Sequence, residues 1–308
     1  MKKIIIYGAG QRGKSYYDFL KHRNLSELVY GFCDKNFDKI NFYDKPVFSL
    51  EEAVKLNFPF LIGVGQPLFC EVKDFMKKNK LDYYEDISDF YKRNLNRDAT
   101  EGNRDFCAYY HVKNMDYYFD NRDNEESLSV FWGESTAFYK LFSRMNKKNI
   151  VELACGRGRH VPKYLSTENH ITLVDILEKN IEICKQRFSG FSNIDYYKNN
   201  GNDLKELPDS TYTALFTYDA MVHFELLDIA KYLQETYRIL VDGGMGLFHH
   251  SNNSSDYKAS FSNALHGRSF MSKDIFAHLA YKAGFKIIDQ QVIDWIERDL
   301  DCLTLVQK

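Results

Sequence analysis

The sequence predicts an α/β protein in which a smaller α/β domain precedes a larger, seven-stranded, doubly wound sheet. Two stretches carry this prediction, because each runs from a buried strand through a glycine-rich turn and a helix to a second strand that ends in an acid. The first stretch starts at Lys3 and ends at Asp34, and the second starts at Ile150 and ends at Asp175. With 308 residues, 44% of them hydrophobic, the chain is long enough for two such domains.

The first domain is predicted over residues 1–88. Its elements are a strand over 3–7, a helix that ends near 23, a strand over 29–34, a helix over 50–56 and a strand over 60–64. Gly8, Gly10, Gly13 and Asp34 match the dinucleotide fingerprint in the expected strand–turn–helix context. The domain is, however, only about one mononucleotide half, which argues against hydride transfer.

This first segment resembles the small Rossmann-like N-terminal domains of bacterial sugar-modifying enzymes, including acyltransferases that bind a UDP-sugar there. The resemblance rests on the glycine turn and covers roughly the first 65 residues. It implies that Gly8, Gly10, Gly13 and Asp34 form a second nucleotide site. The alternative is a degenerate nucleotide fold that serves as a spacer or a dimer surface.

Residues 89–148 are predicted to be a helical linker or lid. The segment begins polar and charged and then becomes dense in Tyr, Phe and Trp. Aromatic residues at helical spacing usually lie in a core. His111, Tyr117, Tyr118 and Trp132 are nevertheless candidates for exposure in a pocket, and Tyr117 and Trp132 for contact with a substrate.

The third segment, residues 149–308, carries the second glycine-rich turn. Its sequence Glu-x-x-Cys-Gly-x-Gly starts at Glu152 and resembles motif I of the class I S-adenosylmethionine (SAM) dependent methyltransferases. Gly156 and Gly158 let the backbone approach a ligand closely, and a helix predicted to start near His160 would point its amides at the same space. Glu152 is expected to accept hydrogen bonds from the ligand's ammonium group, and Asp175 from its ribose hydroxyls.

Later parts of the segment extend the resemblance. The element Gly201–Pro208 looks like the family's Gly-Asp-x-x-x-Leu-Pro, whose acid binds the adenine amino group, and Arg-Ile-Leu-x-x-Gly-Gly precedes the strand Met245–His250. Two successive strands close the chain, which fits a seven-stranded sheet with an antiparallel last strand. The residues predicted to bind SAM are Glu152, Ala154, Gly156, Gly158, Asp175, Ile176, Asn202, Asp203, Leu204 and Tyr218.

Methyl transfer from a sulfonium is a direct displacement, so the protein must align the acceptor and, for a hydroxyl, remove a proton. Ligands lie at the carboxyl ends of the strands in such sheets, and histidine has a suitable pKa for a base. His223 ranks first as general base, followed by His250 and then His249, with Asp219 beside them. His249 and His250 are expected to face opposite sides of their strand. No metal is predicted to be required.

The acceptor is expected to be a small molecule. The net charge of −2 offers no electrostatic basis for binding nucleic acid or an anionic membrane. The N-terminal resemblance favours O-methylation of a sugar, a nucleotide-linked sugar or a CDP-linked precursor of a capsule or surface polysaccharide. The residues predicted to contact it are Tyr117, Trp132, Asn252, His266 and Arg268.

Three alternatives remain open: a non-catalytic module that binds SAM or a nucleotide sugar, an N-methyltransferase of an amino sugar, and an NAD-dependent enzyme that uses the first turn. Six scattered cysteines without a Cys-x-x-Cys pair favour a reducing, cytoplasmic setting. No stretch approaches the roughly 18–20 apolar residues of a membrane span. A homodimer is compatible with the sequence.

Overall fold

The computed structural model describes residues 1–35, 41–114 and 116–308, with the side chains of all of these except Asn41, Asn114, Tyr117 and Asp120. The chain forms two compact units. Unit 1 comprises Met1–Tyr110 and Ser260–Gly267, and unit 2 comprises His111–Ala259 and Arg268–Lys308. The division therefore falls inside the predicted linker, and unit 1 takes a short piece of chain from within the predicted third segment.

Unit 1 is built on a sheet with strand order β3-β4-β2-β1-β5-β6 in the described part of the chain. All neighbouring strands are parallel except β3, which pairs antiparallel with β4 at the edge. Ile4 and Ile6 pack on one face of the sheet, and Ile5 packs on the other. The strands are β1 (Ile4–Tyr7), β2 (Val29–Cys33), β3 (Asn41–Phe42), β4 (Lys45–Phe48), β5 (Phe60–Ile62) and β6 (Tyr83–Tyr84).

The helices of unit 1 follow the strands in alternation, as the sequence predicts. Helix α2 begins with a capping box, in which the Ser49 side chain accepts from the Glu52 backbone and the Glu52 carboxylate accepts from the Ser49 backbone. The helices are α1 (Gln11–His22), α2 (Leu50–Lys55), α3 (Leu68–Lys78), α4 (Ile87–Phe90) and α5 (Ala99–Asn114), the last of which ends in unit 2.

Unit 2 contains a seven-stranded sheet, within the described ranges, of order β12-β13-β11-β10-β7-β8-β9. Strand β13 is antiparallel to both of its neighbours, and the remaining pairs are parallel, which confirms the predicted fold class. The strands are β7 (Asn149–Leu153), β8 (His170–Asp175), β9 (Ile194–Lys198), β10 (Tyr212–Thr217), β11 (Leu240–Ser251), β12 (Lys286–Trp295) and β13 (Glu297–Gln307).

Both faces of this sheet are covered, since successive residues of each central strand belong to different core clusters. On β7, Ile150 packs in one cluster and Val151 in the other. The carboxyl ends of β7, β8, β10 and β11 meet at one edge, where the candidate site is built. The helices are α6 (Asp116–Arg122), α7 (Glu125–Trp132), α8 (Ala137–Phe142), α9 (Glu178–Arg187), α10 (Leu226–Ile239) and α11 (Lys273–Ala283).

Two local predictions are wrong. The helix expected from His160 is absent, and only a 3₁₀ turn, Val161–Lys163, follows the second glycine turn. Asn169 ends it early, because its side chain accepts from the backbone of Ser166 and donates to the carbonyl of Tyr164. Strand β11 begins at Leu240, directly after α10, so the Gly243-Gly244 pair lies inside the strand rather than before it.

None of the described helices is both long and apolar enough to cross a membrane.

Candidate active site

The second glycine turn connects β7 to the short 3₁₀ segment. Ala154, Gly156 and Gly158 all have positive φ angles, of 58°, 57° and 73°. A Cβ atom at Gly158 would lie 2.5 Å from a ring carbon of Phe188, so only glycine fits there. The backbone therefore makes a tight turn directly above the carboxyl end of β7.

Asp175 holds this turn from the neighbouring strand. Its buried carboxylate accepts hydrogen bonds from the backbone of Gly156 at 2.9 Å, from the backbone of Leu177 at 2.8 Å and from the Asn180 side chain at 3.1 Å. Burial raises the pKa of Asp175 to about 6, although these three donors oppose the shift. Binding of ribose hydroxyls by Asp175 stays a prediction, and it would share oxygens with these donors.

Glu152 is buried at the end of β7, with only 2% of its surface exposed. Its carboxyl group accepts a hydrogen bond of 2.6 Å from the hydroxyl of Tyr164. Burial raises the pKa of Glu152 to about 8, and the Tyr164 hydrogen bond and the charge of Arg159 only partly offset this. Such a group gains most from a cation that binds beside it.

Helix α6 lies over the turn. A Cβ atom at Gly156 would lie 3.0 Å from a ring carbon of Phe119, and the Arg157 guanidinium stacks on the same ring at 4.8 Å. Asp116 pairs with Arg157 and with Lys179 of α9, the latter at 3.0 Å. These contacts cover the turn with α6, and the role of residues 89–148 as a lid stays a prediction.

A charged cluster lies at the end of β10. The carboxylate of Asp219 accepts hydrogen bonds from the Tyr118 hydroxyl and from the Arg159 guanidinium, the latter at 3.1 Å. Arg159 also donates to Tyr118 at 3.0 Å and lies between the rings of Tyr118 and Phe131, 5.3 Å and 5.5 Å from their centroids. Burial acts to raise the pKa of Asp219, but Arg159 and the other donors outweigh it and hold that pKa below its ordinary value.

The structure corrects the role of His249. Its Nδ1 accepts the backbone N–H of Asp219 at 3.0 Å, which leaves the proton on Nε2, 3.1 Å from the carboxylate of Asp301. Arg268 donates two hydrogen bonds, of 3.0 Å and 2.6 Å, to the same carboxylate. Because both ring nitrogens are engaged inside the protein, His249 positions Asp219 and does not act as a base.

His250 is also removed from the candidate bases. It points to the other face of β11, as predicted, and its ring stacks on Phe276 with the centroids 3.9 Å apart. Its nitrogens contact the Ser251 carbonyl at 2.8 Å and the Thr304 hydroxyl at 2.9 Å. Burial lowers the pKa of His250 to about 3, so the ring stays neutral and inaccessible.

His223 is the predicted base that the structure retains. It is half-buried and ends the 3₁₀ turn Met221–His223, four residues after Asp219. Its ring lies 5.6 Å from that of His111, and its carbonyl accepts from the hydroxyl of Ser269 at 3.0 Å. The charge of His223 contributes to the lowered pKa of Asp219, so the two side chains are electrostatically coupled.

The predicted adenine residues have mixed positions. Asp203 accepts from the Asn200 side chain at 2.7 Å, and Asn202 donates to Asp228 at 3.3 Å. Ile176 is half-buried next to Asp175. Leu204 and Tyr218, by contrast, lie in the two core clusters, so the structure gives them a packing role.

Most predicted substrate residues are already engaged. The Trp132 indole is buried and donates to His160 at 3.0 Å, and Arg268 is paired with Asp301 rather than offered to an acceptor. The Asn252 side chain accepts from the backbone at Lys273 and donates to the Asp299 carbonyl. His266 is exposed and belongs to unit 1, and the side chain of Tyr117 lies outside the described residues.

The first glycine turn adopts the expected shape in unit 1. Asp34 accepts the backbone N–H of Ala9 at 2.7 Å, and a Cβ atom at Gly13 would lie 1.9 Å from the carbonyl oxygen of Gly8. Gly10 has open space where its Cβ would be. Nucleotide binding at this turn stays a prediction.

Sequence reasoning missed two charged site residues, Arg159 and Asp301. Arg159 directly follows the last glycine of the turn, so its position was a usable signal. Nothing in the sequence connects Asp301 with residues 52 positions earlier. Among the described residues, no group of three or more His, Cys, Asp or Glu side chains is arranged to hold a metal ion.

Comparison with known proteins gives one family match. Residues 150–244, about a third of the chain, match the family model described as a methyltransferase domain. No curated protein matches the chain.

Solved structures with a similar course of the chain include SAM-dependent methyltransferases of Aquifex aeolicus, Mesorhizobium loti and Methanosarcina mazei. The Aquifex protein has a TM-score of 0.48 and 15% identity over 62% of this chain and 96% of its own. The corresponding values are 0.45 and 16% over 57% and 99% for the Mesorhizobium protein. They are 0.47 and 12% over 55% and 96% for the Methanosarcina protein. At these values the structures add no argument to the strand order described above.

Residues 150–244 are similar to a methyltransferase domain, and such a domain implies SAM as its cofactor. The residues fit such a ligand. Gly156 and Gly158 leave no room for a Cβ atom, Glu152 supplies a buried carboxyl for an ammonium, and Asp175 supplies a carboxylate one strand away.

Proposed function

We propose that the protein transfers the methyl group of SAM to a hydroxyl group of a small molecule, with His223 as the general base. The observation that carries this proposal is the arrangement at the carboxyl end of β10. There His223 is half-exposed and coupled to the buried, ionised Asp219, while His249 and His250 are both held in internal hydrogen bonds.

SAM supplies an activated methyl group on a sulfonium, so no covalent intermediate with the protein is required. Glu152 would bind the ammonium group and Asp175 the ribose, with Asp203, Asn202 and Ile176 near the adenine. Arg157, Asp116 and Phe119 would exclude water from the turn.

The residues around His223 suit its proposed role as a general base. A nearby carboxylate favours the protonated form of histidine, so Asp219 supports proton transfer from an acceptor hydroxyl to His223. Arg159 and Tyr118 keep Asp219 ionised and fixed, and His249 holds its backbone.

The acceptor class proposed is a sugar or a nucleotide-linked sugar of a capsule or surface polysaccharide pathway. Two features support it: the net charge of −2, which disfavours nucleic acid, and the glycine turn of unit 1 with Asp34 on its backbone. An amino sugar methylated on nitrogen would need no general base of this kind once its amine is neutral, which is why O-methylation is preferred.

Calorimetric titration with S-adenosylhomocysteine, SAM, NAD, UDP and CDP tests the binding part of the proposal. We expect S-adenosylhomocysteine to bind to unit 2, and failure to bind up to millimolar concentration would rule out the assignment. NAD binding that Asp34→Ala abolishes would instead favour a nicotinamide-dependent enzyme.

Turnover of a panel of sugars and nucleotide sugars tests the base. His223→Ala is expected to lower turnover by about 10²- to 10⁴-fold while the affinity for S-adenosylhomocysteine stays near wild type. His170→Ala is the matched control, because His170 begins β8 at the opposite edge of the sheet and pairs with Asp195 at 2.8 Å. Equal turnover of both variants would remove His223 from the mechanism.

A further inference from the structure

One connection of unit 2 passes through unit 1. The chain leaves β11 at Ser251 and reaches α11 at Lys273, and within this connection Ser260–Gly267 belongs to unit 1. The chain is back in unit 2 at Arg268. We call Ser260–Gly267 the strap.

The strap is held in unit 1 by buried contacts. The carboxylate of Asp86 accepts from the Ser260 hydroxyl and from the Asn263 side chain, each at 2.8 Å, and also from the backbone of Asp89 at 2.9 Å. Asp86, Ser260 and Asn263 are all buried. Hydrogen bonds between buried groups fix the strap more firmly than contacts of a surface loop would.

An aromatic contact adds to this anchoring. The ring of Phe261 packs against Tyr110 with the centroids 5.6 Å apart, and against Phe106 at 6.2 Å. The Tyr16 hydroxyl donates to the Ser262 carbonyl at 3.3 Å. Polar and apolar contacts thus hold four successive residues of the strap, from Ser260 to Asn263, within unit 1.

The two residues that directly follow the strap contact the site of unit 2. Arg268 donates a hydrogen bond to Asp301, whose carboxylate also contacts Nε2 of His249. Nδ1 of the same histidine accepts the backbone N–H of Asp219. Ser269 donates its backbone N–H to the Val222 carbonyl at 3.1 Å and its hydroxyl to the His223 carbonyl at 3.0 Å. The 3₁₀ turn that carries His223 has only three residues, so these two bonds add to its own backbone hydrogen bonds and to the burial of Met221 and Val222.

We infer that Ser269 is a positioning residue for His223, and that anchoring of the strap through Asp86 restricts the chain that leads directly into Ser269. The inference rests on the proposed role of His223 as base. The strap ends at Gly267, one peptide bond before Arg268.

The test compares the steady-state kinetics of four variants, measured with the acceptor that the panel of sugars and nucleotide sugars identifies. Ser269→Ala should lower kcat by about 5- to 10-fold, the effect of one lost hydrogen bond, with KM and the affinity for S-adenosylhomocysteine near wild type. Ser269→Cys replaces the hydroxyl with a weaker donor of similar size, so its kcat should lie between those of the wild type and of Ser269→Ala. Ser260→Ala, on the strap itself, should lower kcat in the same direction without touching unit 2.

Ser254→Ala is the matched control, since Ser254 is exposed in the same connection. A kcat of Ser269→Ala equal to that of the control, alongside a large loss in His223→Ala, would overturn the inference and leave the proposed function intact. An equal loss of kcat and of S-adenosylhomocysteine affinity would show a merely structural role and overturn it too. No loss in His223→Ala would remove both the proposed base and this inference.

Discussion

The two glycine-rich turns of this chain differ in what surrounds them. In unit 1, the turn Gly8–Gly13 matches the dinucleotide fingerprint, is followed by the 12-residue helix α1, and leaves Gly10 exposed to open space. In unit 2, the turn at Gly156 lacks the third glycine and the following helix, and it is enclosed by side chains. The weaker fingerprint thus belongs to the more elaborate site.

One device is common to both turns. The acid that ends the second strand accepts a backbone N–H of the turn, at 2.7 Å from Asp34 to Ala9 and at 2.9 Å from Asp175 to Gly156. This contact stabilises the turn whether or not a ligand binds, so the strand–turn–acid pattern is by itself a structural signal. A ligand site needs further groups.

Unit 2 supplies those groups as side chains instead of a helix terminus. A helix would place partial positive charge at the turn, whereas here Arg157 and Arg159 place two full charges close to it. Each is neutralised by a carboxylate, Asp116 or Asp219, on another segment. The turn is therefore tied electrostatically to the lid helix and to the candidate base.

The largest expected effect comes from breaking this electrostatic tie. Arg159→Met should lower the free energy of unfolding by about 3–5 kcal/mol, because Asp219 would remain buried without its cation. Arg12→Met is the matched change at the first turn, where the half-buried arginine follows Gly10 by two residues, and it should cost no more than about 0.5 kcal/mol. Urea unfolding measures both, and similar losses would contradict the difference drawn between the turns.

The strands of unit 2, together with β1, β2 and β5 of unit 1, could be predicted from the sequence, since buried apolar runs alternate with amphipathic segments and β13 follows β12 directly. Strands β3, β4 and β6, which are only two to four residues long, were not predicted. What failed was local. Whether a helix forms after Gly158 depends on the length of chain that is available before β8. The side-chain hydrogen bonds of Asn169 end the helical segment, and a search for hydrophobic periodicity does not detect them.

The site was predictable where it lies within one motif and not where it is assembled from distant segments. Glu152, Asp175 and His223 follow from strand ends. The network of Arg268, Asp301 and His249 joins three segments, so neither the engagement of Arg268 nor the fixed tautomer of His249 could be foreseen. For the same reason a histidine that looks like a base in the sequence can be a positioning residue.

A second prediction uses the raised pKa of Glu152, which has no counterpart at the first turn. Folding raises this pKa from 4.5 to about 8, so Glu152 is mostly protonated at neutral pH and must ionise when an ammonium binds. The affinity for S-adenosylhomocysteine should therefore rise about tenfold between pH 6.5 and 7.5, a range above the pKa of about 6 of Asp175. Calorimetry in buffers of different ionisation enthalpy should detect release of one proton.

Glu152→Gln should abolish this pH dependence and weaken binding. Tyr164→Phe should keep the slope but weaken binding at pH 7, because the lost hydroxyl favours the ionised carboxyl group. The carboxyl group of Glu152 also affects the free energy of unfolding. Its contribution is fully present below pH 4.5 and is lost as the pH rises through about 8. A wild-type affinity that does not vary with pH would mean that Glu152 does not bind the ammonium.

The smallest expected effect is the difference in stability between alanine substitutions at a glycine of each turn. Gly156→Ala should cost about 1–2 kcal/mol of stability, since its φ of 57° is left-handed and the new Cβ would lie 3.0 Å from Phe119. Gly10→Ala, at a φ of −86° with nothing within 4 Å, should cost about 0.5 kcal/mol through poorer capping of α1. Only Gly156→Ala should also weaken S-adenosylhomocysteine binding, and a loss of that binding in Gly10→Ala would assign the ligand to the turn with the better fingerprint.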